Sequence, residues 1–179
     1  MNRAQNSQTM GDIDERIGRG GSQPRFLPMD QQPVNDPISK LIFDYERSKR
    51  VSDRDLVELI RKVERNNPER ISKAPKFICQ HLTHKSESVR KSAFTTCLAI
   101  LNQPYSPRQM MLDAYRLSLC SSNFKIMQDA LSFLPQFVDT CPEEANNLIK
   151  FGSIAYKRLP APSTDVEMYL SKAFTKAIQ

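Results

Sequence analysis

Residues 77–101 read FICQHLTHKSESVRKSAFTTCLAIL, two apolar segments joined by a short polar turn. In the second segment Val89 and Ala93 are four residues apart, so both lie on one face of a helix. The same apolar pattern returns at Ile126, which is 37 residues after Val89, and at Val166, which is 40 residues after Ile126. Repeats of about 40 residues that contain two helices are typical of α-solenoids.

Apolar stripes and helix signals along the rest of the chain predict eight helices joined by short loops. Asp36, followed by a proline, predicts the start of the first helix, and Ser52 with Asp55 resembles a capping box at the second. Pro68 is expected to open the third helix and Pro75 to kink it. The residues predicted to precede two later helices are Ser86 and either Ser122 or Asn123.

Composition divides the chain into two parts. Residues 1–35 contain four of the five glycines, and their four arginines are matched by four acidic residues. A segment with so little apolar surface cannot offset its ordering entropy, so a disordered N-terminal arm is predicted. Helices joined by short loops pack antiparallel. Residues 36–179 are therefore predicted to form one all-α domain, an α-solenoid of about four antiparallel helical hairpins.

The chain of 179 residues carries a formal net charge of +6. Because the charges of residues 1–35 cancel, the excess lies in residues 36–179, and +5 of it lies in residues 36–91. A basic surface attracts acidic peptides or nucleic acid; interspersed lysines and arginines also occur where they only keep a helical surface soluble. No apolar run approaches the ~18 residues of a membrane span, so no membrane association is predicted.

No catalytic or metal-binding constellation is predicted. The four cysteines are Cys79, Cys97, Cys120 and Cys141. They fall in apolar helical segments and are interpreted as four reduced core thiols of a cytosolic or nuclear protein. Cys79, His81 and His84 form a C-x-H-x-x-H pattern, but a structural zinc site needs four ligands. We therefore expect no metal, no cofactor, no catalytic residue and no enzymatic activity.

The segment 68–101 resembles a HEAT repeat. The second helix of that family begins with a Val-Arg-x-x-Ala pattern, which residues 89–93 match with Arg90 in the arginine position. Residues 107–139 match less closely, because Met127 stands in that position. The polar turn has no clear equivalent of the aspartate that pairs with this arginine in the family. The resemblance implies a HEAT-like fold and says little about function.

In HEAT proteins the second helix of each hairpin lines the concave face, so the resemblance implies that the second, fourth, sixth and eighth helices would do so here. The basic residues predicted on this face are Arg61, Lys62, Arg65, Arg90, Lys91, Lys125, Lys172 and Lys176. A basic groove that binds an acidic peptide is one interpretation. Scattered solubilising charges are the other.

Residues 131–141 read LSFLPQFVDTC and are followed by a glutamate-opened helix with Leu148. This part of the chain resembles the C-terminal helical segment of the largest subunit of the Integrator complex, a nuclear assembly that binds RNA polymerase II and processes small nuclear RNA. The resemblance implies a non-catalytic scaffold in the nucleus, with other protein subunits as partners and an association with RNA polymerase II.

Three alternatives remain open at this stage. The first is an eight-helix domain that reads acidic or phosphorylated peptides. The second is a helical-repeat protein that binds nucleic acid, although no basic-and-aromatic recognition motif supports it. The third alternative is a location in the cytoplasm and not in the nucleus, because reduced cysteines also fit a cytoplasmic protein.

Overall fold

A computed structural model describes residues 36–48, 51–66 and 73–178. This part of the chain forms eight α-helices, contains no strand, and has a short 3-10 turn at Pro142–Glu144. The helices are α1 (Pro37–Arg47), α2 (Asp53–Arg65), α3 (Ala74–His81), α4 (Glu87–Leu101), α5 (Arg108–Leu119), α6 (Phe124–Thr140), α7 (Ala145–Arg158) and α8 (Thr164–Ile178). The predicted all-α class is confirmed. The predicted arm and the predicted role of Pro68 lie outside the described residues.

Two helices begin as their polar residues predict. The carboxylate of Asp36 accepts hydrogen bonds from the backbone N–H groups of Ile38 and Ser39, at 3.3 and 2.7 Å. At the next helix the hydroxyl of Ser52 accepts from the backbone N–H of Asp55 at 3.2 Å and donates to its carboxylate at 2.7 Å. These contacts satisfy N–H groups that have no partner inside the first turn of a helix.

The N-termini of α3, α4 and α6 agree only in part with the predictions from sequence. Pro75 lies in the first turn of α3 and not in its interior, so the predicted kink is wrong; a proline in the first turn removes no helical hydrogen bond. Ser86 precedes α4 as predicted, but its hydroxyl lies 3.1 Å from that of Ser88 and does not cap the helix. Asn123 does cap α6, by accepting from the N–H of Lys125 at 3.0 Å.

The helices make their main contacts in a regular order. Each odd-numbered helix contacts the even-numbered helix that follows it, which gives the four hairpins. Helices α1, α3, α5 and α7 also contact one another in succession, and so do α2, α4, α6 and α8. Packing between successive hairpins is what a helical repeat requires. The superhelical curvature of a solenoid stays a prediction.

Helix α6 occupies the middle of the core, because it contacts α4, α5, α7 and α8. The rings of Phe137 on α6 and Tyr115 on α5 are stacked, with centroids 3.6 Å apart and planes 6° apart. Phe94 on α4 meets both rings edge-on. The Tyr115 hydroxyl donates to the backbone carbonyl of Ala130 at 2.9 Å, so this buried polar group is satisfied.

Candidate interaction surface

Helix α2 carries a row of arginines on the side that faces away from the core. Arg54, Arg61 and Arg65 are exposed and occupy positions i, i+7 and i+11, with Glu58 between them. This spacing places them along one side of the helix. The opposite side is buried and consists of Leu56, Leu59, Ile60 and Val63. We call Arg54, Arg61 and Arg65 the arginine ridge.

A shallow cleft borders the arginine ridge on the side of α4. Its volume is about 550 Å³, and it is lined by Arg54, Asp55, Val57, Glu58, Arg61 and Ser88. The cleft holds two arginines and two carboxylates, so its lining is balanced in charge. The ridge itself carries the excess positive charge, because along it the three arginines outnumber the one glutamate, Glu58.

The described residues provide no ion-pair partner for Arg61, Lys62 or Arg65. The same holds for Lys125 on α6 and Lys172 on α8, both of which are exposed. These five predicted residues therefore present cationic groups at the surface. Arginine guanidinium groups on such a surface bind carboxylates or phosphates with two parallel hydrogen bonds.

Arg90 has a different role from the one predicted, because it is buried with only 2% of its surface exposed. Its guanidinium pairs with Asp129 of α6, and its Nε lies 2.7 Å from the carboxylate. Its Nη1 also donates to the backbone carbonyls of His84 and Lys85, at 2.8 and 2.9 Å. Arg90 thus joins two hairpins and closes the turn before α4, and its predicted part in partner binding is wrong.

Two further predicted residues are already paired. Lys91 lies 2.5 Å from Glu87 one turn earlier, and Lys176 of α8 lies 2.6 Å from Asp139 of α6. The hydrogen bond with Glu87 raises the pKa of Lys91, and the same bond lowers the pKa of Glu87. Lys91 and Lys176 can contact a partner only in competition with these carboxylates.

The histidines of the C-x-H-x-x-H pattern are used within the fold. His81 has Nδ1 2.7 Å from the carbonyl oxygen of Phe77 and Nε2 3.2 Å from the hydroxyl of Tyr45. Burial lowers the pKa of His81. His84 accepts a hydrogen bond at Nδ1 from the N–H of Ser86. Within the described ranges, no three His, Cys, Asp or Glu side chains are grouped as metal ligands.

The interpretation of all four cysteines as core thiols needs correction. Cys97 and Cys141 are buried, Cys79 is half-buried and Cys120 is exposed at the end of α5. Burial raises the pKa of the Cys79 thiol to about 11 and that of Cys97 well above its usual value. Cys120 follows the last turn of α5, which an apolar stripe alone does not distinguish from a core position.

Sequence reasoning missed the partner of Arg90. Asp129 lies 39 residues further on, close to one repeat length, and it sits between the predicted core residues of α6. The repeat spacing was the available signal, because equivalent positions of successive hairpins come close in a stack. The acidic partner comes from the next hairpin and not from the turn that precedes α4.

The fold and its surface define a class of protein: within the described residues, it is an all-helical array of hairpins with a row of exposed arginines on α2. The model of the Integrator complex subunit 1 R4 domain matches residues 44–142, which is more than half of the chain. The chain therefore belongs to this family. No curated protein matched the chain.

The match confirms the resemblance to the largest Integrator subunit. The matching segment begins earlier in the chain than the stretch on which the resemblance was based. The predicted stretch at 131–141 lies at the end of the matched segment, which begins in α1 and includes the arginine ridge, Arg90 and Asp129. No helix of the described residues is both long enough and apolar enough to cross a membrane.

Proposed function

We propose that this chain is a non-catalytic scaffold that holds protein subunits of an Integrator assembly together in the nucleus. The assembly would be associated with RNA polymerase II and would process small nuclear RNA. The observation that carries the proposal is the match of residues 44–142 to a domain of an Integrator subunit. The succession of contacts between neighbouring hairpins also supports the proposal, because stacked hairpins expose extended surfaces for partners.

The arginine ridge is the surface on which we place the main protein contact. Its three guanidinium groups lie along α2 over eleven residues, or about 16 Å of helix. An acidic helix or extended segment of a partner subunit offers carboxylates over a similar length. Lys62 follows Arg61 on α2, and Lys125 on α6 and Lys172 on α8 are further exposed cations on the set of helices that contact one another in succession from α2.

Replacing Arg61 and Arg65 with glutamate is expected to reduce recovery of bound subunits at least about tenfold, equivalent to about 1.4 kcal/mol. Reversed charges meet acidic groups of the partner and repel them. The measurement is affinity purification of the tagged full chain with quantitative mass spectrometry. The matched control is Lys150→Glu with Lys157→Glu, which changes the net charge equally on exposed positions of α7.

Equal recovery of Integrator subunits with both double variants would contradict the proposal that the arginine ridge makes the main protein contact. Recovery of no Integrator subunit with the unaltered chain would remove the proposed function itself. Thermal unfolding followed by circular dichroism provides the folding control, because exposed substitutions of this kind change stability by about 0.5 kcal/mol or less.

A further inference from the structure

An exposed aromatic ring on α1 is flanked by two cations. Phe43 is 41% exposed, a large fraction for a phenylalanine. The guanidinium carbon of Arg47 and the ammonium of Lys73 each lie 5.2 Å from the centre of its ring. Both distances are within the range of cation–π attraction. The ring therefore holds two positive groups close together at the surface.

A third cation lies on the same side of α1. Lys40 precedes Phe43 by three residues and is exposed, so it adjoins the ring on the helix surface. No ion pair of Lys40, Arg47 or Lys73 occurs within the described part of the chain. We call Lys40, Phe43, Arg47 and Lys73 the aromatic–basic cluster.

The cluster contributes little to the attachment of α1. This helix is anchored by its buried residues Ile38 and Ile42 and by the hydrogen bond of Tyr45 to His81. Phe43 is not among the buried residues of this helix. Cation–π contacts at exposed sites are weak. A large apolar side chain held in this way is suited to a contact outside the chain.

We propose that the aromatic–basic cluster binds an acidic segment of a partner protein in which two carboxylates flank an apolar side chain. Lys40 and Arg47 are seven residues apart, which is about 10 Å along a helix. In an extended peptide alternate side chains share a face, so acidic residues at positions i and i+4 with an apolar residue at i+2 span about 13 Å, within reach of the two long cationic side chains. The carboxylates then meet the cations while the apolar side chain between them covers the exposed part of Phe43.

Charge on α1 favours a short acidic segment over a nucleic acid strand. The helix carries Asp44 and Glu46, both exposed, in addition to Lys40 and Arg47. Single-stranded nucleic acids bind along a continuous basic groove, with contacts to many phosphates. Two acidic groups beside the cluster interrupt such a track, whereas a peptide with two or three carboxylates needs only the cluster.

The experiment selects peptides from a displayed library of random 12-residue sequences on the purified full chain. We expect the selected sequences to share two acidic residues four positions apart with an apolar residue midway between them. A fluorescein-labelled peptide of the shared sequence is then titrated by anisotropy. Phe43→Ala and Arg47→Glu should each weaken its binding about tenfold, while Lys150→Glu should leave it unchanged.

The proposal is overturned if selection yields no shared sequence, if the shared sequence lacks acidic residues, or if both cluster variants bind the peptide as the unaltered chain does. It is also overturned if a 12-nucleotide oligouridine binds more tightly than the peptide and loses that binding with Phe43→Ala. Arg47→Glu keeps the ring, so it separates loss of contact from loss of α1 packing. Arg61→Glu with Arg65→Glu should not affect the peptide, so the two surfaces fail separately.

Discussion

Replacing Arg90 with methionine is expected to lower the free energy of unfolding by about 3 kcal/mol, measured by urea denaturation of the full chain. The substitution removes the partner of Asp129, whose side chain is only 14% exposed. It also leaves the backbone carbonyls of His84 and Lys85 without their donor. Breaking a buried ion pair by removing one partner is costly, because the remaining charge is left without compensation.

The matched control is Lys91→Met on the same helix. Lys91 and Glu87 are 52% and 61% exposed, so water screens their ion pair and its loss should cost about 0.5 kcal/mol or less. A double-mutant cycle with Asp129→Asn measures the coupling across the hairpins directly. An Arg90 variant no less stable than the Lys91 variant would show that the pair does not join α4 to α6 energetically.

Replacing Phe137 with alanine is expected to cost about 4 kcal/mol, the usual range for removing a fully buried aromatic side chain. Phe137 is buried in the last turn of α6 and is stacked on Tyr115. Its removal leaves a cavity at the point where α6 meets α5 and α4. Urea denaturation with the change in midpoint converted to free energy measures the effect.

Phe124→Ala provides the control for this prediction, since it makes the same chemical change on the same helix. Phe124 is 46% exposed, so its replacement should cost about 1 kcal/mol or less. Similar losses at the two positions would contradict the central place of α6 in the core. A smaller slope of unfolding with urea for Phe137→Ala would show that the hairpins no longer unfold together.

Patterns local to one helix were predictable from the sequence. The polar starts at Asp36 and Ser52 form the expected hydrogen bonds, because a cap involves groups only two or three residues apart. Buried stripes such as Val89, Ala93 and Cys97 were predictable for the same reason. Spacing along one helix determines which side chains share a face.

Contacts between distant residues were not predictable in this way. Arg90 was predicted on the exposed concave face because the HEAT resemblance places its helix there, and only the fold brings Asp129 to it. The spacing of residues along α1 does not single out Phe43, and only the position of Lys73 before α3 brings a second cation to its ring. Helix packing therefore removes Arg90 from the exposed basic residues and places two cations beside Phe43.

The family match and the surface lead to one claim, that this chain works as a bound member of a large protein assembly. Sedimentation of tagged full chain in a nuclear extract, with and without ribonuclease and deoxyribonuclease, tests it most directly. We predict migration with Integrator subunits, far from the position of a free 20.5 kDa protein, and no change after nuclease treatment. Migration as a free monomer, or release by nuclease, would contradict the claim.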